Sequence, residues 1–209
     1  MHDKLTQLIP HNDAALHHDS DLPVINPGTN LRQAAVLIPL VHYNHHWQVL
    51  FIRRAHNERD RHSGQVAFPG GRLETFDASH EAAALRETHE EIGVAANHIK
   101  LVGRIGPYMT ISHYQVTPVI GIMSWPTPLK LQSSEVARAF LIPLSWLRDQ
   151  QNFTMRARSE LDAKSAQRHP IIVYNEFDGE TLWGASARMT LNFLKALDDG
   201  NIALPLHES

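Results

Sequence analysis

The chain has 209 residues, of which 43% are hydrophobic and 20% charged, a composition that predicts one globular domain with a core of ordinary size. Its 19 basic and 22 acidic residues give a formal net charge of −3 and are spread along the chain, which disfavours nucleic acid as a partner. Cysteine is absent, which excludes disulfides and a cysteine nucleophile, and the apolar runs are too short to span a bilayer. We therefore expect a cytoplasmic protein with no membrane partner, and the sequence does not indicate its oligomeric state.

The predicted elements begin near Leu31. Residues 1–30 are rich in His, Asp, Asn and Pro and show no sustained period, so we expect an N-terminal arm there. The runs "AAVLIPLV" (34–41) and "WQVLFIRR" (47–54) are β-branched and aromatic, which predicts two strands. The polar stretch "HYNHH" between them predicts a turn, in which we expect the histidines to be exposed residues rather than metal ligands.

A glycine turn and a helix are predicted next. The stretch "GQVAFPGG" (64–71) predicts a strand that ends in a turn, because its glycines permit backbone angles closed to other residues. The run "HEAAALRETHEEI" (80–92) consists largely of helix formers. Asp77 and Ser79 are candidate N-terminal caps, and Gly93 is a candidate C-terminal cap.

The second half of the chain mixes strands and helices without a regular repeat. Apolar segments lie at 101–105, 116–123, 139–144 and 170–177, and an amphipathic helix is predicted from about 183 to 197. We expect an α/β protein of the α+β type, in which helices pack on a mixed sheet. The domain is predicted to cover residues 31–200, followed by a C-terminal tail at 201–209.

Three glutamates on the predicted helix are the first candidate functional residues. Glu87, Glu90 and Glu91 have the spacing i, i+3 and i+4, which predicts that all three lie on one face. Clustered carboxylates repel one another unless a cation lies among them, and Mg²⁺ prefers oxygen ligands. The alternative is a solvated acidic face. Arg86 can hold Glu90 at i+4, and a backbone oxygen of Gly71 can complete the coordination of an ion, so we predict a metal site.

The glycines and the acidic helix together resemble the Nudix box. The matching positions are Gly71, Arg86, Glu87, Glu90, Glu91, Gly93 and Val94. The departures are Asp77 for the first glutamate of the pattern, one additional residue before Arg86, and Thr88 at a position that is usually apolar. The first two departures resemble a variant associated with the coenzyme A pyrophosphatase branch. The stretches "HSGQVAFPGG" (62–71), "YQVTPVIGI" (114–122) and "WGASAR" (183–188) are also similar to that branch.

This resemblance implies a Nudix fold, a mixed β-sheet sandwiched between α-helices. It implies an enzyme that uses Mg²⁺ or Mn²⁺ to hydrolyse the pyrophosphate of coenzyme A or its thioesters, giving 3′,5′-ADP and a 4′-phosphopantetheine compound. One alternative keeps the chemistry but acts on ADP-ribose, a dinucleotide or another nucleoside diphosphate derivative. Another alternative is a non-catalytic module that binds a nucleotide.

The predicted catalytic residues are Glu90, Arg86 and Glu135. No Asp or Glu occurs from Ile92 through Ser134, so Glu135 is the next acid along the chain after the box. The resemblance implies a further glutamate from a loop beyond the box as base or extra ligand, and Glu135 is our candidate. An exposed glutamate before a strand is the alternative, and Glu74 is a second, weaker candidate.

The predicted partner is a small nucleoside diphosphate derivative, whose phosphates need cationic contacts. Arginine suits bidentate contact with phosphate. The candidates that flank the glycine turn in sequence are Arg54, Arg61, His62 and Arg72.

Overall fold

The computed structural model describes residues 31–58, 62–156 and 170–205, so the predicted arm at 1–30 and the end of the tail at 206–209 lie outside the described residues. The strands are β1 (Arg32–Tyr43), β2 (His46–Arg54), β3 (Val66–Ala67), β4 (Gly70–Arg72), β5 (Ile99–Arg104), β6 (Tyr108–Met109), β7 (Tyr114–Met123), β8 (Val136–Pro143), β9 (Phe153–Arg156), β10 (Ile171–Phe177) and β11 (Glu180–Trp183). The α-helices are α1 (His80–Ile92), α2 (Leu144–Arg148) and α3 (Gly184–Asp198). None of these helices has the length and apolar content that crossing a bilayer requires.

The first two strands form a hairpin whose turn is tighter than the sequence predicts. Asn44 and His45 have φ of 50° and 63°, and Tyr43 pairs directly with His46. A turn with two left-handed residues suits the twist of a hairpin. His42 and His46, expected in the turn, are therefore strand residues.

The hairpin opens away from its turn, and the glycine-rich segment fills the gap. β1 pairs with β2 only over its last residues, whereas its first half pairs with β4. The far end of β2 pairs with β3, and the Leu37 amide donates to the Pro69 carbonyl at 2.8 Å. The single strand predicted for 64–71 is thus two short strands that lie between β1 and β2.

The rest of the sheet is mixed, as predicted. β7 runs parallel to β1, and β5 and β6 pair antiparallel with β7. β8 pairs antiparallel with β2, while β9, β10 and β11 form a separate antiparallel sheet.

Helices cover both faces of the main sheet. Along β1, Leu37 and Val41 pack on the side of α1, whereas Ile38 and Leu40 pack on the side of α3. Because both faces are covered, the strand is an almost continuous apolar run. The predicted sandwich of a mixed sheet between helices is confirmed.

The ends of α1 lie where the sequence places them. The Ser79 hydroxyl accepts a hydrogen bond from the Ala82 amide at 3.2 Å, which makes Ser79 the N-terminal cap. Gly93 ends the helix with a φ of 75°, and its amide donates to the His89 carbonyl at 2.9 Å. Asp77, the other candidate cap, has a different partner.

Candidate active site

The three glutamates of α1 do not share one solvent-facing surface. The Glu90 side chain is 55% exposed and the Glu87 side chain 16% exposed, whereas Glu91 is only 2% exposed. The exposure of the three side chains on the predicted acidic face therefore decreases from Glu90, through Glu87, to the buried Glu91. The gradient arises because the glycine turn packs on the part of the helix that carries Glu87 and Glu91.

Both glycines of the turn are needed for this contact. The Gly70 amide donates to a carboxylate oxygen of Glu91 at 2.9 Å, and Gly70 has a φ of 152°. A Cβ at Gly70 would lie 2.4 Å from the Ala35 carbonyl oxygen, and a Cβ at Gly71 would lie 2.5 Å from the Glu87 carboxylate carbon. The predicted set of site residues included Gly71 but missed Gly70. The presence of two adjacent glycines was the signal for it.

Arg86 joins the turn to the helix glutamates. Its guanidinium donates two hydrogen bonds to Asp77, at 3.0 and 2.9 Å. It also donates to Glu87 at 2.8 Å, to Glu90 at 3.1 Å and to the Arg72 carbonyl at 3.1 Å. The guanidinium holds the pKa of Asp77 below its usual value. The expected contact with Glu90 is present, and Asp77 serves Arg86 instead of capping the helix.

The loop before β8 brings Glu135 to the same place. The Gln132 amide donates to the Glu91 carbonyl at 2.9 Å, and the Ala55 amide donates to the Glu135 carbonyl at 2.7 Å. Glu135 is exposed, as expected of a glutamate before a strand. Its charge nevertheless contributes to raising the pKa of both Glu87 and Glu91. We therefore group Glu87, Glu90, Glu91 and Glu135 as the acidic cluster.

Burial and mutual repulsion make Glu91 the most perturbed carboxyl group of the cluster. Burial raises its pKa to about 8, and the charges of Glu87 and Glu135 act in the same direction. The Gly70 amide and the positive charge of Arg54 oppose this shift. Burial also raises the pKa of Glu87. In the absence of a cation, the ionised forms of Glu87 and Glu91 are therefore disfavoured where they lie.

The cluster fits a divalent cation by its chemistry. Within residues 31–58, 62–156 and 170–205, no three His, Asp or Glu side chains already converge as a metal site. Glu87 and Glu90 are bonded to Arg86, and Glu91 is bonded to Gly70. Each of these bonds uses one carboxylate oxygen, and every carboxylate has a second. An oxygen-only set with excess negative charge is the set that hard divalent cations prefer.

The residues predicted to contact phosphate differ in their surroundings. Arg54 is the last residue of β2, and its positive charge partly opposes the raised pKa of Glu91. Arg72 is exposed on the last residue of β4, and its guanidinium is 4.0 Å from Glu74. His62 is exposed in the loop before β3, where its ring contacts the Gln65 side chain at 3.1 Å. Arg61 lies outside the described residues.

A mixed sheet opened by a glycine segment, with a glutamate helix packed on it, defines the class of protein. The family model of the NUDIX domain matches residues 31–161, more than half of the chain. The chain is 36% identical over 162 residues to a protein named uncharacterized Nudix hydrolase NudL from Escherichia coli K12, covering 77% of this chain and 76% of that relative. A protein of the same name from Shigella boydii matches to the same extent.

The solved structures agree on the fold. A crystal structure of a MutT/nudix family protein from Enterococcus faecalis aligns with a TM-score of 0.52 at 18% identity, over 87% of this chain and 66% of that chain. The chain belongs to the Nudix family. Family membership confirms the predicted Nudix fold and the predicted enzyme class, a pyrophosphohydrolase.

Proposed function

We propose that the protein is a Mg²⁺- or Mn²⁺-dependent hydrolase that cleaves the pyrophosphate of coenzyme A or its thioesters, releasing 3′,5′-ADP and 4′-phosphopantetheine or its acyl derivative. The observation that carries the proposal is the cluster of Glu87, Glu90, Glu91 and Glu135 around the glycine turn. The coarser function, hydrolysis of a nucleoside diphosphate derivative, is supported by the family and its named hydrolases.

We assign Glu87, Glu90 and Glu91, with a backbone oxygen of Gly71, to the divalent cation. When bound, such an ion polarises phosphate oxygens and lowers the pKa of water. The chain's own contribution is to bring carboxylates of α1 next to the glycine turn, each with one oxygen that its bond to Arg86 or Gly70 does not use. Arg86 supports this role, because it bonds to two of the glutamates and to the turn at once.

Glu135 is our proposed general base. Its side chain is exposed, so a water molecule has access to it. The loop bonds to α1 and β2 hold its backbone in place. Arg86, predicted from the sequence as catalytic, is better assigned to positioning, because Asp77, Glu87 and Glu90 engage its guanidinium.

Coenzyme A is proposed over ADP-ribose on the resemblance of "HSGQVAFPGG" and "YQVTPVIGI" to the coenzyme A pyrophosphatase branch. Arg54 is the last residue of β2 and Arg72 the last residue of β4. Arginine suits bidentate contact with phosphate, and the 3′-phosphate of coenzyme A adds one phosphate to the pyrophosphate.

The substrate is tested with a panel of coenzyme A, 3′-dephospho-coenzyme A and ADP-ribose, incubated with Mg²⁺ or Mn²⁺ and followed by mass spectrometry. We expect kcat/KM for coenzyme A to exceed that for ADP-ribose by at least about tenfold, or about 1.4 kcal/mol of transition-state binding. Loss of the 3′-phosphate is expected to lower kcat/KM. Efficient cleavage of ADP-ribose with coenzyme A left intact would overturn the substrate and leave the Nudix chemistry standing.

A further inference from the structure

The loop before β8 is bonded to the C-terminal end of α1. We call residues 130–135 the helix-end loop. The Lys130 amide donates to the Ile92 carbonyl, and the Gln132 amide donates to the Glu91 carbonyl, both at 2.9 Å. The last carbonyls of a helix have no partner within the helix, so the loop satisfies two of them. The loop is therefore fixed to the turn of α1 that carries part of the acidic cluster.

One residue of this loop, Gln132, joins α1 to Glu135 through the backbone. Its amide bonds to the Glu91 carbonyl, and its own carbonyl accepts hydrogen bonds from the Glu135 and Val136 amides at 2.8 Å each. The Glu135 carbonyl accepts from the Ala55 amide, which directly follows β2, at 2.7 Å. The backbone of Glu135 is thus held by contacts that lead to α1 on one side and to β2 on the other.

Gly93 makes the close approach of the loop to α1 possible. A Cβ at this position would lie 2.8 Å from the Lys130 Cβ and 3.1 Å from both the amide nitrogen and the carbonyl oxygen of Lys130. Non-bonded carbon atoms pack at about 3.5–4.0 Å, so the loop would have to move by about 1 Å. Rotation of the Lys130 side chain does not relieve the contacts with its backbone. Gly93 therefore admits the loop as well as ending the helix.

Gly200, which follows α3, is a helix-ending glycine without such a contact. It has a φ of 74°, against 75° at Gly93, and its amide donates to the Leu197 carbonyl at 3.1 Å. Within the part of the chain that the structure describes, no atom lies within 4 Å of a Cβ placed there. The two glycines therefore have the same backbone conformation but differ in what a side chain would meet.

We propose that Gly93 is a positioning residue, because the close approach that it permits fixes Glu135 relative to the carboxylates of α1. This inference rests on the proposed function of Glu135 as general base. A general base must lie within about 2.6–3.2 Å of the group that it deprotonates, so a displacement of about 1 Å is large on this scale. A misplacement of that size can lower the rate by about a hundredfold.

The test compares Gly93→Ala with Gly200→Ala in two measurements, kcat at saturating Mg²⁺ with the pyrophosphate that the parent cleaves fastest, and Mn²⁺ affinity by calorimetric titration. We expect Gly93→Ala to lower kcat by at least about tenfold and to keep Mn²⁺ affinity within about threefold of the parent. Gly200→Ala is expected to keep both. Fraying of the last turn of α1, which carries Glu90 and Glu91, would weaken Mn²⁺ binding as much as kcat, and that result would overturn the proposal.

A double-mutant cycle with Glu135→Gln tests whether Gly93 acts through Glu135. Once the base is removed, Gly93→Ala is expected to lower kcat by less than about twofold further. If Glu135→Gln is impaired but Gly93→Ala lowers kcat by the same factor in both backgrounds, the positioning role is overturned and the base stands. Full activity of Glu135→Gln would instead overturn the general base, and the positioning role with it.

Gln132→Pro is the second variant, used should Gly93→Ala fold poorly. Proline has no amide hydrogen, so this change removes the bond to the Glu91 carbonyl without altering the sequence of α1. We expect kcat to fall by at least about tenfold with Mn²⁺ affinity again within about threefold of the parent. A kcat equal to that of the parent would overturn the proposal.

Discussion

Two clusters of arginines and carboxylates in this protein differ in their balance of charge. The first is the acidic cluster of α1. The second, which we call the hairpin latch, consists of Arg53, Arg138, Asp178 and Glu180. In the latch, Arg53 and Arg138 form ion pairs with the Glu180 Oε1 at 3.1 Å each, and Arg138 also bonds to Asp178. The charges of the two arginines and the two carboxylates balance, and the buried Glu180 contacts both arginines.

The acidic cluster has no such balance. It gathers Asp77 and four glutamates around Arg86 and Arg54. An uncompensated carboxylate in a protein interior costs free energy. In the latch, by contrast, each carboxylate is matched by an arginine. The excess of carboxylates at α1 is the basis on which we propose a cation there, and the following variants test the difference between the two clusters.

The largest expected effect is the loss of activity in Glu90→Gln. The side chain is largely exposed, so the fold is retained, while the loss of one charge from the metal ligands lowers kcat/KM by about a hundredfold or more. The assay uses saturating Mg²⁺ and the pyrophosphate that the parent cleaves fastest. Near-normal turnover, with an unchanged unfolding midpoint, would remove the basis for a metal site at α1.

Next is the stability of Glu91→Gln in metal-free protein. The pKa of Glu91 is about 8 when folded, against an ordinary value of 4.5. An acid with a raised folded pKa costs no stability below 4.5 and destabilises the fold progressively as pH rises from 4.5 to 8. Glutamine keeps the acceptor for the Gly70 amide without the charge. We expect it to raise the free energy of unfolding by on the order of 2 kcal/mol at pH 8 and by little at pH 4.5.

Urea denaturation in EDTA at the two pH values measures this effect. Activity with Mg²⁺ is expected to fall in the same variant, so stability and function change in opposite directions. A Glu91→Gln protein that is less stable than the parent at pH 8 would contradict the claim that the ionised Glu91 carboxylate destabilises the metal-free fold.

A smaller effect is expected from Gly71→Ala, with Gly179→Ala at the turn of the hairpin latch as its counterpart. The new Cβ at Gly71 meets the Glu87 carboxylate and displaces it, which lowers kcat/KM by at least about tenfold. At Gly179, φ is 78° and a Cβ has open space. That variant is expected to lose about 1 kcal/mol of stability with unchanged activity. Equal loss of activity in both would break the distinction between the two regions.

The smallest effect on activity is expected in the latch itself. Glu180→Gln removes the charge shared by Arg53 and Arg138, which we expect to lower the free energy of unfolding by about 1 to 2 kcal/mol. Because the latch joins β11 to the edge of the main sheet, kcat/KM is expected to stay within about threefold of the parent. A loss comparable to that of Glu90→Gln would show that the latch also serves catalysis.

The features of the site that depend on neighbouring residues were predictable. The spacing of the glutamates, the contact between Arg86 and Glu90, and the caps at Ser79 and Gly93 all follow from helix geometry. The longer strands β1, β2, β5, β7, β8 and β10 followed from apolar runs, whereas β6, β9 and β11 were not predicted. The match to the Nudix box added the family and, with it, the order of the layers.

The features that depend on distant contacts were not predictable. Helix periodicity places Glu91 beside Glu87 but does not show that a turn 21 residues earlier in the chain buries it. The opening of the β1–β2 hairpin is also hidden, because the apolar runs of both strands continue past the point where their pairing ends. The latch joins Arg138 to Glu180 across 42 residues, and nothing local in either segment indicates the pairing.

The most direct test of the central claim is the affinity for Mn²⁺, measured by calorimetric titration of metal-free parent, Glu87→Gln, Glu90→Gln and Glu180→Gln. Each variant removes one negative charge, from the acidic cluster in two cases and from the latch in the third. We predict that both cluster variants weaken Mn²⁺ binding by at least about tenfold and that Glu180→Gln changes it by less than about twofold. The same Mn²⁺ affinity in all four proteins would contradict the claim that the excess carboxylates of α1 hold a divalent cation.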